Sequence, residues 1–341
     1  MSLRLVAGAA GPPAGRYDAD VVILALDRVE ETEQAIVSGL AQRGVSRHVT
    51  VLDQGSHPYA LDRLARHVAG REDASLWAVS SNLGVAGGRD VAAWIGHGRV
   101  IAGIDNDAEF ADADTLARAV AALDADPGLA AVGLRIVEYA SGRDDLSSWG
   151  YPRALLARAG ERFEAATFVG AGHAIRRTAW DAAGEFDAKL FFCWEEYDFC
   201  LRAIALGWRI GYRGDIVVRH KVTAERRMAW SGTRWFLFVR NRIHIERKWG
   251  ASWAALAPRI AGYLIKGARA GLLAQTRLAI RAAARMELAP GPRALPAAAC
   301  AYLRRTDQAH RDGWLRRVRQ DVLAPPGGEP PRPAHTGGGL R

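Results

Sequence analysis

The run from Phe191 to Arg202 places Glu195, Glu196 and Asp198 within four residues, among Phe191, Trp194, Tyr197, Phe199 and Leu201. A carboxylate taken into apolar surroundings without a partner costs several kcal/mol, so such acids tend to be paired or to have a chemical task. One held there can have its pKa raised and act as a general base. The same residues also suit an ordinary helix start, with acids in the first turn and Asp198 paired to Arg202 at i+4. Asp105-Asn106-Asp107 follows an apolar strand directly. Two carboxylates one residue apart can face one cation, and Mg²⁺ or Mn²⁺ prefers oxygen ligands, although Asp and Asn are equally common in polar turns. His220 closes another apolar run beside Arg219 and Lys221. By itself it reads as a surface residue, but a neutral imidazole is also a ligand for Mn²⁺. Asn82-Leu83-Gly84-Val85-Ala86-Gly87-Gly88-Arg89-Asp90 would let backbone amides approach a ligand at a helix N-terminus that favours phosphate. Its glycines lack the Gly-x-Gly-x-x-Gly spacing of a dinucleotide fingerprint.

The elements that must position these residues read as an α/β rhythm. Asp20–Leu26, His48–Leu52, Leu76–Val79, Arg99–Ile104 and Leu129–Val137 are strand-like apolar runs. Residues 30–43, 61–68, 85–95 and 114–123 are helix-like between them. Continuous apolar strands alternating with helices predict a mostly parallel central sheet covered on both faces. Ligands on such sheets sit beyond the carboxyl ends of strands, where Asp53, Asn82 and Asp105 to Asp107 fall. After about residue 225 the pattern changes to basic, Trp-, Leu- and Ala-rich helices, followed by a Pro/Gly-rich tail that predicts disorder. The expected division is a catalytic domain over 18–225, a basic helical extension over 226–322 and a tail over 323–341.

Charge divides along the same line. Residues 1–225 carry 24 Lys and Arg against 31 Asp and Glu, whereas residues 226–341 carry 22 against 6. This points to an anionic partner for the second part alone, a lipid surface or a nucleic acid. No zinc, helix-turn-helix or other nucleic-acid motif accompanies the basic residues, so no nucleic-acid partner is expected. Three cysteines, Cys193, Cys200 and Cys300, make neither a zinc spacing nor a disulfide framework, which suits a reducing cytosol. Neither a signal peptide nor an apolar run long enough to span a bilayer is apparent. The expected location is the cytoplasm, peripheral on the inner face of its membrane.

Taken in order, Asp53-Gln54-Gly55-Ser56, Asn82-x-Gly84-x-Ala86-Gly87-Gly88, Asp105-x-Asp107, Gly170-x-Gly172, Gly184-x-Phe186-Asp187, Trp194-Glu195-Glu196-x-Asp198 and His220 resemble the family 2 inverting glycosyltransferases. The likeness is to the branch transferring rhamnose-like or galactofuranose-like sugars, and covers roughly residues 18–245 including Arg240-Asn241-Arg242. It implies a GT-A fold, a nucleotide-diphospho-sugar donor (UDP- or dTDP-sugar), Mg²⁺ or Mn²⁺, and a glycan or lipid-linked glycan acceptor in cell-envelope polysaccharide synthesis. It implies Glu196 as catalytic base, with Trp194, Glu195 and Asp198 at the acceptor. Asp53, Asn82, Gly84, Gly87, Gly88, Arg89, Asp105 and Asn106 would hold the donor, and Asp105, Asp107 and His220 the metal. Two departures stand out. The base is usually Asp, one methylene shorter than Glu, and Asp90 stands where Asn is common. The rival reading is a non-catalytic nucleotide-sugar-binding or membrane-associated assembly protein on the same fold, with idle acids. The basic region over 226–322 would meet an anionic membrane surface, or be merely solvated.

Overall fold

The apolar run beginning at Asp20 forms β2 (Ala19–Ala25), the middle of a ten-stranded sheet in a computed structural model that describes residues 2–221, 231–288 and 294–313. Period-two alternation of side chains divides this strand between two cores. Val21 and Ile23 pack under α1 (Val29–Leu40), α2 (Pro58–Val68) and α4 (Thr115–Asp124). Val22 faces the opposite core, which contains residues of α3 (Gly84–Ile95), α5 (Arg177–Ala183) and α6 (Glu195–Ala205). β3 (Arg47–Asp53), β4 (Ala74–Val79) and β5 (Val100–Ile104) run parallel to β2 in the order β4-β3-β2-β5. β7 (Leu129–Glu138) and β10 (Arg209–His220) are parallel to each other.

Some elements go beyond the sequence reading. β9 (Gly172–Arg176) runs antiparallel between β5 and β7. β6 (Ala108–Phe110) and β8 (Arg162–Ala165) both pair antiparallel with β10. β1 (Leu3–Gly8) pairs antiparallel with β4, so the sheet begins well before residue 18. The basic region folds as α7 (Gly232–Lys248), α8 (Trp253–Arg269), α9 (Leu273–Arg285) and α10 (Ala297–Thr306). It is not set apart from the sheet. The Tyr302 hydroxyl of α10 donates to Ala165 O at 2.9 Å and accepts from Ile210 N at 3.0 Å. The expected boundary at 225 and the tail over 323–341 lie outside the described residues.

Candidate active site

Strand ends bring the metal-ligating types together. Asp105 and Asp107 leave β5, His220 ends β10, and one ligand atom from each lies within 4.8 Å of the others. His220 Nε2 is 3.3 Å from Asp107 Oδ1, while its Nδ1 donates to Asp145 Oδ2 at 2.8 Å. Asp145 thus orients the ring so that Nε2 faces the acids, as carboxylates behind ligating histidines do. Burial works against ionisation of Asp107, but the His220 hydrogen bond and the charges of His220 and Arg28 outweigh it and hold the carboxyl at about 2. Burial also opposes charging His220, yet Asp107 and Asp145 raise it to about 10, so a cation bound at Nε2 would displace that proton. Arg28 reaches the same carboxylate, with Nη1 2.5 Å from Asp107 Oδ2. Two carboxylates and an imidazole held by a carboxylate form a donor set that fits Mg²⁺ or Mn²⁺.

Arg89 joins this cluster to the acidic pair. Its guanidinium is buried and donates to Asp105 Oδ1 at 2.9 Å, to Glu196 Oε1 at 3.0 Å and to Gly170 O at 2.8 Å. A Cβ at Gly170 would lie 2.2 Å from Glu196 Oε1 and 2.8 Å from Arg89 Nη1, so a larger residue would displace this pair. The two glutamates differ. The Glu196 side chain keeps 16% of its surface exposed, against 3% for Glu195. Glu195 Oε2 is buried without a hydrogen-bond partner among the described residues. Burial first, then the neighbouring Glu196 charge, pushes Glu195 well above the carboxylate range. Burial also raises Glu196, but Arg89 opposes it.

The turn that presents this pair adopts left-handed backbone at three non-glycine residues, Phe191 (φ 64°), Cys193 (φ 71°) and Trp194 (φ 74°). Such conformations cost about 1–3 kcal/mol each and persist only when surroundings impose them. α7 imposes them here. The buried Asn241 Nδ2 donates to the carbonyls of Leu190 (2.8 Å), Phe192 (2.9 Å) and Cys193 (2.9 Å). Arg240 donates to Lys189 O and Leu190 O, and the Trp194 indole N–H to Phe238 O at 3.0 Å. The Arg242 guanidinium lies over the rings of Trp194 and Tyr197, 4.8 and 4.4 Å from their centroids. Asp198 was expected at the acceptor. It is fully buried, and its oxygens bind Arg202 at 3.0 Å and Lys248 at 3.0 and 3.1 Å, so it ties α6 to α7.

On the donor side, Asp53 ends β3 with Oδ2 accepting from the amides of Gly55 and Ser56, while Oδ1 is buried without a partner among the described residues. Asn106 Nδ2 donates to Thr32 Oγ1 at 3.2 Å, pinning the Asp-Asn-Asp turn to α1. Asn82 accepts from Gly84 N at 2.8 Å and starts α3. The glycine loop was expected to meet phosphate. The first helical amides, of Val85 and Ala86, both donate to Phe191 O and are not available to a ligand. The glycines serve packing instead. A Cβ on Gly84 (φ 74°) would lie 2.2 Å from Phe191 O, one on Gly88 would meet the Gln54 amide at 2.9 Å, and Gly87 sits against Leu83 and Ala188. Asp90 accepts from Phe186 N at 3.0 Å, inside the fold rather than towards a donor.

Residues 20–183 match the Glycosyl transferase family 2 model. The domain they form belongs to this family. Its fold is the GT-A type, that of a glycosyltransferase domain. No curated protein sequence matches the chain. Among solved structures, the mannosyltransferase PcManGT from Pyrobaculum calidifontis, in complex with GDP-Man and Mn²⁺, is similar at TM-score 0.52 and 21% identity, over 86% of this chain and 81% of that one. GalNAc-T7 with UDP, GalNAc and Mn²⁺ is similar at TM-score 0.58 and 13% identity, over 79% of this chain and 55% of the other. The family match ends before Glu195, so the acidic pair rests on its own geometry.

Several residues of the site escaped the sequence reading. Arg28 carries no motif; it precedes α1 in left-handed backbone (φ 51°), as does Asp27. Asp145 lies in a polar loop, where its contacts to Ser147 and Ser148 look like an ordinary turn. Arg89 was expected at the donor, and the acids it joins are far apart in sequence.

Proposed function

We propose that this chain is a glycosyltransferase that moves a hexosyl-type sugar from a nucleotide-diphosphate donor to a hydroxyl of a glycan or lipid-linked glycan, with inversion at the anomeric carbon. The observation that carries this reading is the single buried guanidinium of Arg89, which holds Asp105 of the cation cluster and Glu196 at one place. Asp105, Asp107 and His220 would hold Mg²⁺ or Mn²⁺. A divalent cation there supplies neutralisation of the diphosphate leaving group.

The chain's own residues supply the rest. Glu196 is hydrogen-bonded to Arg89, which opposes the rise that burial imposes on its carboxyl, and is the more exposed of the pair, so it is the base that takes the acceptor hydroxyl proton. The acceptor oxygen forms a bond to the anomeric carbon as the bond to the phosphate oxygen breaks. One displacement inverts the configuration. Glu195, deeper and with its carboxyl pushed up by burial, braces the turn and the acceptor beside Trp194. The partnerless Asp53 Oδ1 suits an N–H of the nucleobase. UDP- and dTDP-sugars are the first donors to test, and GDP-sugars join them because a structural neighbour is a GDP-Man complex. A role in cell-envelope polysaccharide synthesis at the inner membrane face fits the basic second part. Screening these donors for metal-dependent hydrolysis and for protection against thermal unfolding tests the proposal. Absence of both for every donor, with and without Mn²⁺, overturns it.

A further inference from the structure

The segment from Trp249 to Met286 contains six Lys and Arg and no Asp or Glu. It folds as α8 and α9, which both pack on α7 around Trp235, Val239 and Ile243. α8 buries only Leu256 and Gly267. At 100° per residue, the side of α8 turned away from them carries Trp253, Ala254, Ala257, Pro258, Ala261, Ile265 and Ala268, all exposed, over an arc of about 140° without a charge. Trp253 keeps 40% and Ile265 47% of its surface exposed. Arg269, Lys266 and Arg259 follow beyond one edge of that arc, with Arg259 paired to Glu246 and Lys266 set over the Trp235 ring. α9 buries Thr276, Ala279 and Ala283 and turns outward Arg277, Arg281 and Arg285 at four-residue spacing, together with Leu278 at 55% exposure. A soluble helix normally turns charges outward. Here α8 turns outward an apolar face bordered on one side by Arg269, beside the arginine stripe of α9.

We infer that the outer faces of α8 and α9 are a docking surface for an anionic lipid bilayer, with the apolar face of α8 in the headgroup–acyl boundary and the α9 arginines on the lipid phosphates. No described helix is long and apolar enough to cross a membrane, so the attachment lies in the plane of the surface. A nucleic acid would meet the arginines but leave the apolar face of α8 in water. Because α7 carries both helices and also holds the turn bearing Glu195 and Glu196, docking fixes the catalytic site relative to the bilayer. The inference does not depend on the donor or on the base.

Sedimentation of the full chain with vesicles of phosphatidylglycerol mixed into phosphatidylcholine, against phosphatidylcholine alone, tests it. Binding is expected to the anionic vesicles and to weaken steeply with salt. Each cation at such a surface weights partitioning about fivefold, so replacing Arg277, Arg281 and Arg285 by Ala should weaken it about a hundredfold. Ile265→Glu should weaken it as well, with Ala261→Glu as the second variant of that face should the first misfold. Unchanged thermal unfolding and donor binding identify the folded variants. Equal binding to neutral vesicles, no effect of either face, or retention of double-stranded DNA without vesicle binding each overturns the inference.

Discussion

Asn241→Ala removes the one side chain that donates to three carbonyls of the catalytic turn. The amide has two hydrogens for three acceptors, so one is shared, and at about 1 kcal/mol net per hydrogen bond the loss is about 2–3 kcal/mol. At about 2–4 °C per kcal/mol for a domain of this size, Tm should fall by roughly 5–10 °C, and the fold should persist. The turn itself should not persist, because three left-handed residues at about 1–3 kcal/mol each lose the group that imposes them. Transfer should therefore fall by about 10², the cost of misplacing a catalytic group. Donor affinity should stay within a few-fold, since Asp53, Asp105, Asp107 and His220 come from strand ends that Asn241 does not touch. Asn241→Asp is the sharper variant, because it sets a carboxylate oxygen against three carbonyl oxygens and should lose more transfer than the alanine. Calorimetry, donor titration and initial rates of transfer separate the outcomes. A lowered Tm with undiminished transfer would refute the role assigned to Asn241. A parallel loss of donor affinity would make α7 a general stabiliser only.

Glu196→Gln should keep donor affinity and lower transfer by about 10²–10⁴, the usual contribution of a general base, whereas Glu195→Gln should lower it less. Glu196→Asp should retain substantial transfer, and an inactive Glu195→Gln beside a normal Glu196→Gln in rate assays would reverse the two roles. Asp107→Ala or Asp105→Ala should abolish metal-dependent donor binding with the fold intact, and donor titration unchanged by both substitutions and by EDTA would remove the cation assignment. Burial first, then Glu185 and Asp187 against Arg202 and the Phe186 amide, raises the Asp90 carboxyl from 3.8 to about 7. The folded state then holds one more proton than the unfolded state between about pH 4 and 7, so stability falls as pH rises through that window, by at most about 4 kcal/mol. Asp90→Asn should raise Tm above pH 7 and flatten its pH dependence, as read by thermal melts across that range.

What was legible in the sequence was what local pattern encodes. Apolar runs gave β2, β3, β4, β5 and β7 to within a few residues, and acids following them fell at the strand ends where the site forms. β9 was not legible, because five residues after a glycine pair carry too little alternation to separate a strand from a loop. β1 was not read from the sequence, and it is ordered by pairing with β4. The acidic run was legible as a site but not in its parts. Asp198 shares the chemistry of its neighbours, and only the arrival of Lys248 from α7 assigns it to packing. The glycines at 84, 87 and 88 announced a close approach, and the approaching group is this chain's own Phe191 and Gln54.

Arg89 shows why the site coheres. Asp105 and Glu196 are carboxyl groups brought together from β5 and α6, and placing two acids side by side in a partly buried site calls for a cation that addresses each separately. A guanidinium can do this, since its N–H groups diverge in a plane: Nη1 takes Glu196 while Nη2 takes Asp105 and the Gly170 carbonyl. A lysine offers one point charge and could serve only one acid well. Glycine at 170 is the complement of that arrangement, because any larger residue would push the Arg89–Glu196 pair off its seat. The distance between the cation cluster and the base is thereby set by the shape of one side chain, and the register between leaving group and acceptor is built into the fold before either substrate binds.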